Sequence, residues 1–281
     1  MMCNGYLHRT ERRNLVGVLW AASLLLLLML AGCATGPNAN PKDPLEPFNR
    51  GVYKFNDVVD VAVLKPVATA YQDVVPKLVR QGVSNFFANL QDAWSVVNNA
   101  LQLKGDAAGD SLARFGVNTF IGLGGIFDIA SDLKIEKHTK DFGHTLGYWG
   151  VGPGPYIVLP LLGPSTLRDT VALPVDINGD IVSGITDVPT RNTLTVVRVV
   201  DTRANLLKAS AMLEEAALDK YSFIREAFLQ RRRSAIYDGD PPEDEAPDPV
   251  PAPPASAPAK TETTPDTLSN AGLPGDEKVK P

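Results

Sequence analysis

The chain has 281 residues, 44% of them apolar, and a formal charge of −5, room for one sizeable core or two small ones. The charge is uneven: residues 1–32 carry +2, residues 33–237 balance 21 acids against 21 bases, and the stretch from Asp238 onward sets ten acids against three bases. No basic stripe of the kind nucleic acid requires is present, so nucleic acid is excluded as a partner.

The N-terminus reads as a targeting signal. Arg9, Arg12 and Arg13 form a positive n-region, and Leu15 to Leu30, containing LLLLLML, an apolar h-region. The run closes on Leu30-Ala31-Gly32-Cys33. Small residues before a Cys match a bacterial lipobox, in which Cys33 is lipidated and becomes the first mature residue. An ordinary secretory signal or an anchor helix is the alternative; the correct order of n-region, h-region and small-small-Cys favours the lipobox. Cys3 would leave with the signal, and the mature chain would have no thiol pair to oxidise. Acyl chains contribute about 0.8 kcal/mol per buried CH₂, so several hold a protein firmly on a membrane. By similarity to bacterial lipoproteins, Ala34 after the Cys permits sorting to the outer membrane.

Residues 33–42 form a short lipidated tether, and 43–237 a globular part. Phe48, Val52, Phe55, Val59 and Ala62 make a first apolar helical stripe. After Pro76, Val79, Val83, Phe86, Leu90, Trp94, Val97 and Leu101 predict about six turns of a second helix. Its other face shows Gln81, Ser84, Asn85, Asn89, Gln91, Asn98 and Asn99, and Arg80 and Asp92 are the only charges between Lys77 and Lys104. A water-facing helix normally carries many Lys and Glu. Such a face suits either a border between lipid and water or a buried polar network in a bundle.

The segment 114–133 (RFGVNTFIGLGGIFDIASDL) has no charge from Phe115 to Phe127, and its glycines break any long helix. From Phe142 to Leu167 there is again no Asp, Glu, Lys or Arg, yet six Gly and four Pro interrupt the run. That composition excludes a spanning helix; Tyr148, Trp149 and Tyr156 within it fit a headgroup-level belt. Residues 204–217 and 221–233 predict two further helices. Arg231-Arg232-Arg233 ends the second, complementing the helix dipole or touching anionic headgroups. Residues 238–281 are acidic and Pro-rich, with little to bury, and read as a disordered tail.

No catalytic constellation stands. Gly109-Asp110-Ser111-Leu112 and Asp141-Phe142-Gly143-His144 spell the two halves of a GDSL esterase signature, but they lie about thirty residues apart with no strand before the serine. His138 and His144 match no zinc spacing, Gly122-Leu123-Gly124-Gly125 lacks the Lys of a phosphate loop, and Gly163-Pro164-Ser165-Thr166 reads as a turn. No metal or cofactor is expected.

The block DPLEPFNRGVYKFND (43–57) resembles the start of the MlaA (VacJ) lipoprotein family of Gram-negative bacteria. The likeness continues through 75–90, VNNALQLK (97–104), 114–130, 141–169 and YSFIREAFLQRRR (221–233), in order. Pro47, where members often have Gly, and His144, where Gln or Ser is usual, depart from the pattern. The resemblance implies a mainly α, ring-like domain embedded in the inner leaflet of the outer membrane, on its periplasmic side. It implies an amphipathic channel through which mislocalised phospholipid descends from the outer leaflet, no covalent chemistry, and two partners, a trimeric porin and a soluble periplasmic lipid carrier. The alternatives are a porin-associated structural lipoprotein without lipid passage and, remotely, a GDSL-type lipid esterase. Under the transport reading, 114–130 and 142–167 are walls and turns at membrane depth, where charge and unsatisfied backbone are expensive. Candidate lipid-contact residues are Asn85, Phe86, Asn89, Asn99, Phe120, Gly124, Tyr156 and Leu159, with Cys33 as the anchor.

Overall fold

The computed structural model describes residue 40 and residues 43–242. The signal peptide, Cys33, most of the tether and all but the first residues of the acidic tail lie outside the described residues.

The first stripe folds as α1 (Glu46–Val59), with Pro47 in its first turn. An N–H there would have no helical partner, so proline at this position loses nothing. The helical path runs on through a π-helical turn (Asp60–Leu64) into α2 (Lys65–Val74), whose Pro66 again sits in the first turn. Pro76 forces Val75 into extended backbone and ends it. The 25-residue α3 (Lys77–Leu101) then turns back through Leu103 into α4 (Gly105–Phe120). The contacts Asn99–Ser111, Asp92–Arg114 and Asn89–Thr119 set the two helices antiparallel.

After a glycine-rich turn come the short α5 (Ile129–Asp132), capped by Asp128, and α6 (Phe142–Tyr148). At α6 the Asp141 carboxylate accepts from His144 N, and His144 Nδ1 accepts from Asp141 N, a reciprocal capping box. Glu or Gln is the usual residue there, so His144 keeps the function while changing the group. Strands β1 (Tyr156–Leu159) and β2 (Gly163–Thr166) pair antiparallel, Tyr156 opposite Thr166 and Leu159 opposite Gly163. Thr166 caps α7 (Leu167–Gly179), and α8 (Val188–Ala216) and α9 (Lys220–Ile236) complete the fold.

A lone two-stranded hairpin is marginal in water. This one is completed by side chains. Asn49 and Asn56, seven residues apart on one face of α1, act as the third strand: Asn49 donates to Tyr156 O and accepts from Val158 N, and Asn56 donates to Leu159 O and accepts from Leu161 N. Tyr156 and Val158 turn inward against Tyr221, with Val52, Tyr53, Phe228 and Leu229 around them.

The mainly helical class matches the sequence reading, and the details extend it. Helix α8 begins sixteen residues before the expected position 204, because packing against α2 and α3 overrides the weak helix preference of TLTVVRVV. Helices α2 and α7 and the hairpin escaped the sequence reading, and Gly163-Pro164-Ser165-Thr166 is a strand rather than a turn.

Candidate functional site

The interior is more polar than the surface pattern. Among the described residues, buried polar and charged side chains outnumber buried apolar ones about two to one, while Phe, Leu, Ile and Val side chains stand exposed along α1, α2 and the turns. The uncharged face of α3 supplies part of this interior. Asn89 (2% exposed) donates to Thr119 Oγ1, and Asn99 (0%) donates to Ser111 Oγ and His138 O. Both therefore belong to a buried network between α3 and α4, the second of the two readings that face allowed, and not to a lipid-bordering surface. At the network's centre Arg114 donates to Asp92 Oδ2 at 3.3 Å, Asp128 Oδ1 at 3.0 Å and Ile135 O at 2.7 Å.

That polar seam fixes the glycine-rich turn above it. Gly125 N donates to Asn118 O, Asn118 holds Asp128 and Ala130 N, and Asn85 Nδ2 donates to Ile126 O. Gly125 sits at φ +92° against the side chain of Asn89, where a Cβ would lie 2.7 Å away. With the backbone so held, Phe120 (86% exposed), Ile121, Leu123, Ile126 and Phe127 are left outside. Gly124, at φ +72° with open space around it, serves the same turn.

Leu103, Leu123 and Leu161 all have positive φ and are all exposed. A non-glycine residue in this region costs about 1–3 kcal/mol and persists only where its surroundings impose it. Three such leucines at three separate tips form an outward apolar pattern that water does not reward. Tyr148 and Trp149 are exposed as well, whereas Tyr156 is buried, stacked edge-on against Tyr221 and Phe228. Tyr156 is thus a core residue and no member of an aromatic belt. Among the described residues, no helix is long and apolar enough to cross a membrane.

Beneath the hairpin lies a cavity of about 240 Å³ with two kinds of wall. Leu159, Leu162, Pro164, Leu173 and Phe228 form one, and Asp141, Asp169, Asp176 and Arg232 the other, with Ser165 between them. Arg232 donates to Asp141 Oδ2 at 2.5 Å and contacts Asp169 Oδ1 at 2.8 Å. Burial alone would push the Asp141 carboxyl up; the hydrogen bonds from His144 and Arg232 outweigh it and hold the group far below the usual carboxylate range. Asp176 goes the other way, because burial raises it against the hydrogen bonds from Phe142 N and Trp94 Nε1. Of the arginine triplet, Arg233 stands in the last turn of α9, while Arg232 joins α9 to the cap of α6 and the first turn of α7.

Of the candidate positions, the structure places Leu159 on the cavity, Phe120 and Gly124 on the exposed turn, and half-buried Phe86 on α3 beside Phe87. The charged wall was missed. Its members lie singly across 91 residues, from Asp141 to Arg232, and no local motif connects them. The esterase lookalike also resolves. Ser111 is buried and donates to Ala107 O, His138 faces Asp110 rather than the serine, and Asp141 and His144 cap a helix.

Residues 41–235 match the family of the MlaA lipoprotein. The chain belongs to the MlaA family. The intermembrane phospholipid transport system lipoprotein MlaA of Escherichia coli K12 is 37% identical to it over 217 residues, 72% of this chain and 82% of that protein. The protein of the same description from Haemophilus influenzae is 34% identical over 230 residues, 77% and 90% of the two chains. A solved structure described as "Structural basis for maintenance of bacterial outer membrane lipid asymmetry" aligns with a TM-score of 0.62 at 38% identity, covering 69% of this chain and 98% of that one. Against the MlaA pattern, Pro47 and His144 are both absorbed locally, by the first turn of α1 and by the α6 capping box.

Proposed function

We propose that this MlaA-family chain removes mislocalised phospholipid from the outer leaflet of the outer membrane and passes it to the periplasm, maintaining lipid asymmetry. Two observations carry the reading: apolar side chains are held outward by strained or glycine-broken backbone, and the hairpin borders a cavity with one apolar and one charged wall. Outward leucines suit acyl chains as their solvent, and a two-sided cavity suits a molecule with tails and a headgroup. The names of the E. coli and H. influenzae relatives point to the same activity.

In this reading Cys33 carries the acyl anchor, and the body lies in the inner leaflet on the periplasmic side. Phe86, Phe120, Gly124 and Leu159 border the lipid path. A trimeric porin holds the lipoprotein in place, and a soluble periplasmic carrier receives the lipid. The chemistry is transfer without bond breaking. Cells lacking the chain are expected to display phospholipid in the outer leaflet, measured by labelling intact cells with a membrane-impermeant reagent; unchanged exposure contradicts transport.

A further inference from the structure

The cavity's charged wall is not balanced. Asp141, Asp169 and Asp176 face Arg232, and Arg168 behind Asp169 adds one more positive charge, leaving the cluster one net negative. Its polar atoms are also not all engaged. Asp141 is saturated by His144 and Arg232. Asp169 uses Oδ1 for both Arg168 and Arg232, while its Oδ2 is buried with no protein partner. Arg232 donates through both Nη atoms, while its Nε is likewise buried and unpartnered. The two hydrogen bonds Asp176 accepts, from Trp94 Nε1 and Phe142 N, both fall on Oδ1.

Leaving a buried polar atom unpaired costs about 1–3 kcal/mol, and native folds rarely do so without a role. Here an unpaired acceptor and an unpaired donor stand on residues of one cavity. At about 240 Å³ it falls below the roughly 300–1,000 Å³ of pockets that enclose a whole drug-sized ligand. A headgroup fits it better than a complete lipid. Resting on the transport reading above, we infer that this cavity selects a phospholipid by the primary ammonium of an ethanolamine headgroup. The ammonium donates to the carboxylates of Asp169 and Asp176, and the adjoining phosphate accepts from Arg232. Leu159, Leu162 and Phe228 take the first carbons of the tails. A choline headgroup has no N–H to donate, and a glycerol headgroup brings no cation, so neither satisfies the carboxylates. The high position of the Asp176 carboxyl, caused by burial, agrees with a group that gains from a cation.

The test incubates the full lipidated protein, purified in detergent, with vesicles of a single phospholipid bearing an ethanolamine, choline or glycerol headgroup. Lipid retained after re-isolation is then weighed. Retention of the ethanolamine lipid is expected to exceed the other two about tenfold, the worth of one charge-assisted hydrogen bond, and Asp176→Asn is expected to bring it near parity. Soluble phosphoethanolamine should compete on the wild-type protein where phosphocholine does not, a measurement that requires no variant to fold. Equal retention of all three lipids, or full preference in a folded Asp176→Asn protein, overturns the headgroup inference and leaves transport standing. Retention of none from any vesicle overturns the transport reading itself.

Discussion

Arg232 and Asp141 meet across 91 residues, Nη1 to Oδ2 at 2.5 Å and Nη2 to Oδ1 at 3.1 Å, and this pair ties the last helix to the cap of α6. Breaking a buried ion pair by removing one partner typically costs about 3–5 kcal/mol. Because Asp141 remains partly exposed, Arg232→Met should fall at the lower end of that range, read by denaturant unfolding in detergent.

The same pair makes stability depend on pH with a definite sign. The folded Asp141 carboxyl lies far below its ordinary value, through the His144 and Arg232 hydrogen bonds that outweigh burial. Its contribution is therefore complete above the unfolded pKa, about 4, and declines as the pH falls toward the folded value. The stability gap between wild type and Asp141→Asn should shrink steadily from about pH 5 down to pH 2. A constant gap would show that the carboxylate contributes by shape alone.

Asn49→Ala and Asn56→Ala should release different ends of the hairpin. The first strands Val158 N and Tyr156 O inside the protein, and the second leaves Leu161 N and Leu159 O nearer solvent. Unpaired buried groups cost about 1–3 kcal/mol each, so Asn49→Ala should be the more damaging. Amide exchange should accelerate at Val158 in the first variant and at Leu161 in the second.

The adjacent glycines of the apolar turn should respond unequally. Gly124→Ala meets open space and incurs only left-handed strain, about 1–2 kcal/mol. Gly125→Ala adds a collision with Asn89 at 2.7 Å, so its Tm should fall further.

These devices were legible in the sequence to different degrees. The apolar stripes of α1 and α3 follow from spacing alone, and the charge-free runs singled out 114–130 and 142–167 by composition. The uncharged face of α3 was visible too, but whether Asn89 and Asn99 meet lipid or α4 depends on what packs opposite, which periodicity does not encode. The hairpin was hidden because its third strand consists of two asparagine side chains more than a hundred residues away. The cavity's charged wall was hidden for a similar reason: each aspartate reads locally as a helix-terminal or surface acid.

Exposed and buried positions should separate function from stability. Phe120→Asp places a charge on a side chain 86% exposed, so the purified protein should unfold within about 0.5 kcal/mol of wild type. Charge at membrane depth is costly, and outer-membrane asymmetry in cells should fail. Ser111→Ala should do the reverse, lowering stability by about 1 kcal/mol while leaving outer-membrane asymmetry intact, since the hydroxyl is buried against Ala107 O.

The most direct measurement places a photocrosslinking residue at Leu159, on the apolar wall of the cavity, in cells carrying the full lipoprotein. Transport predicts adducts with phospholipid at this position, reduced by Phe120→Asp. Adducts with protein alone would contradict lipid passage and identify the chain as a porin-bound scaffold.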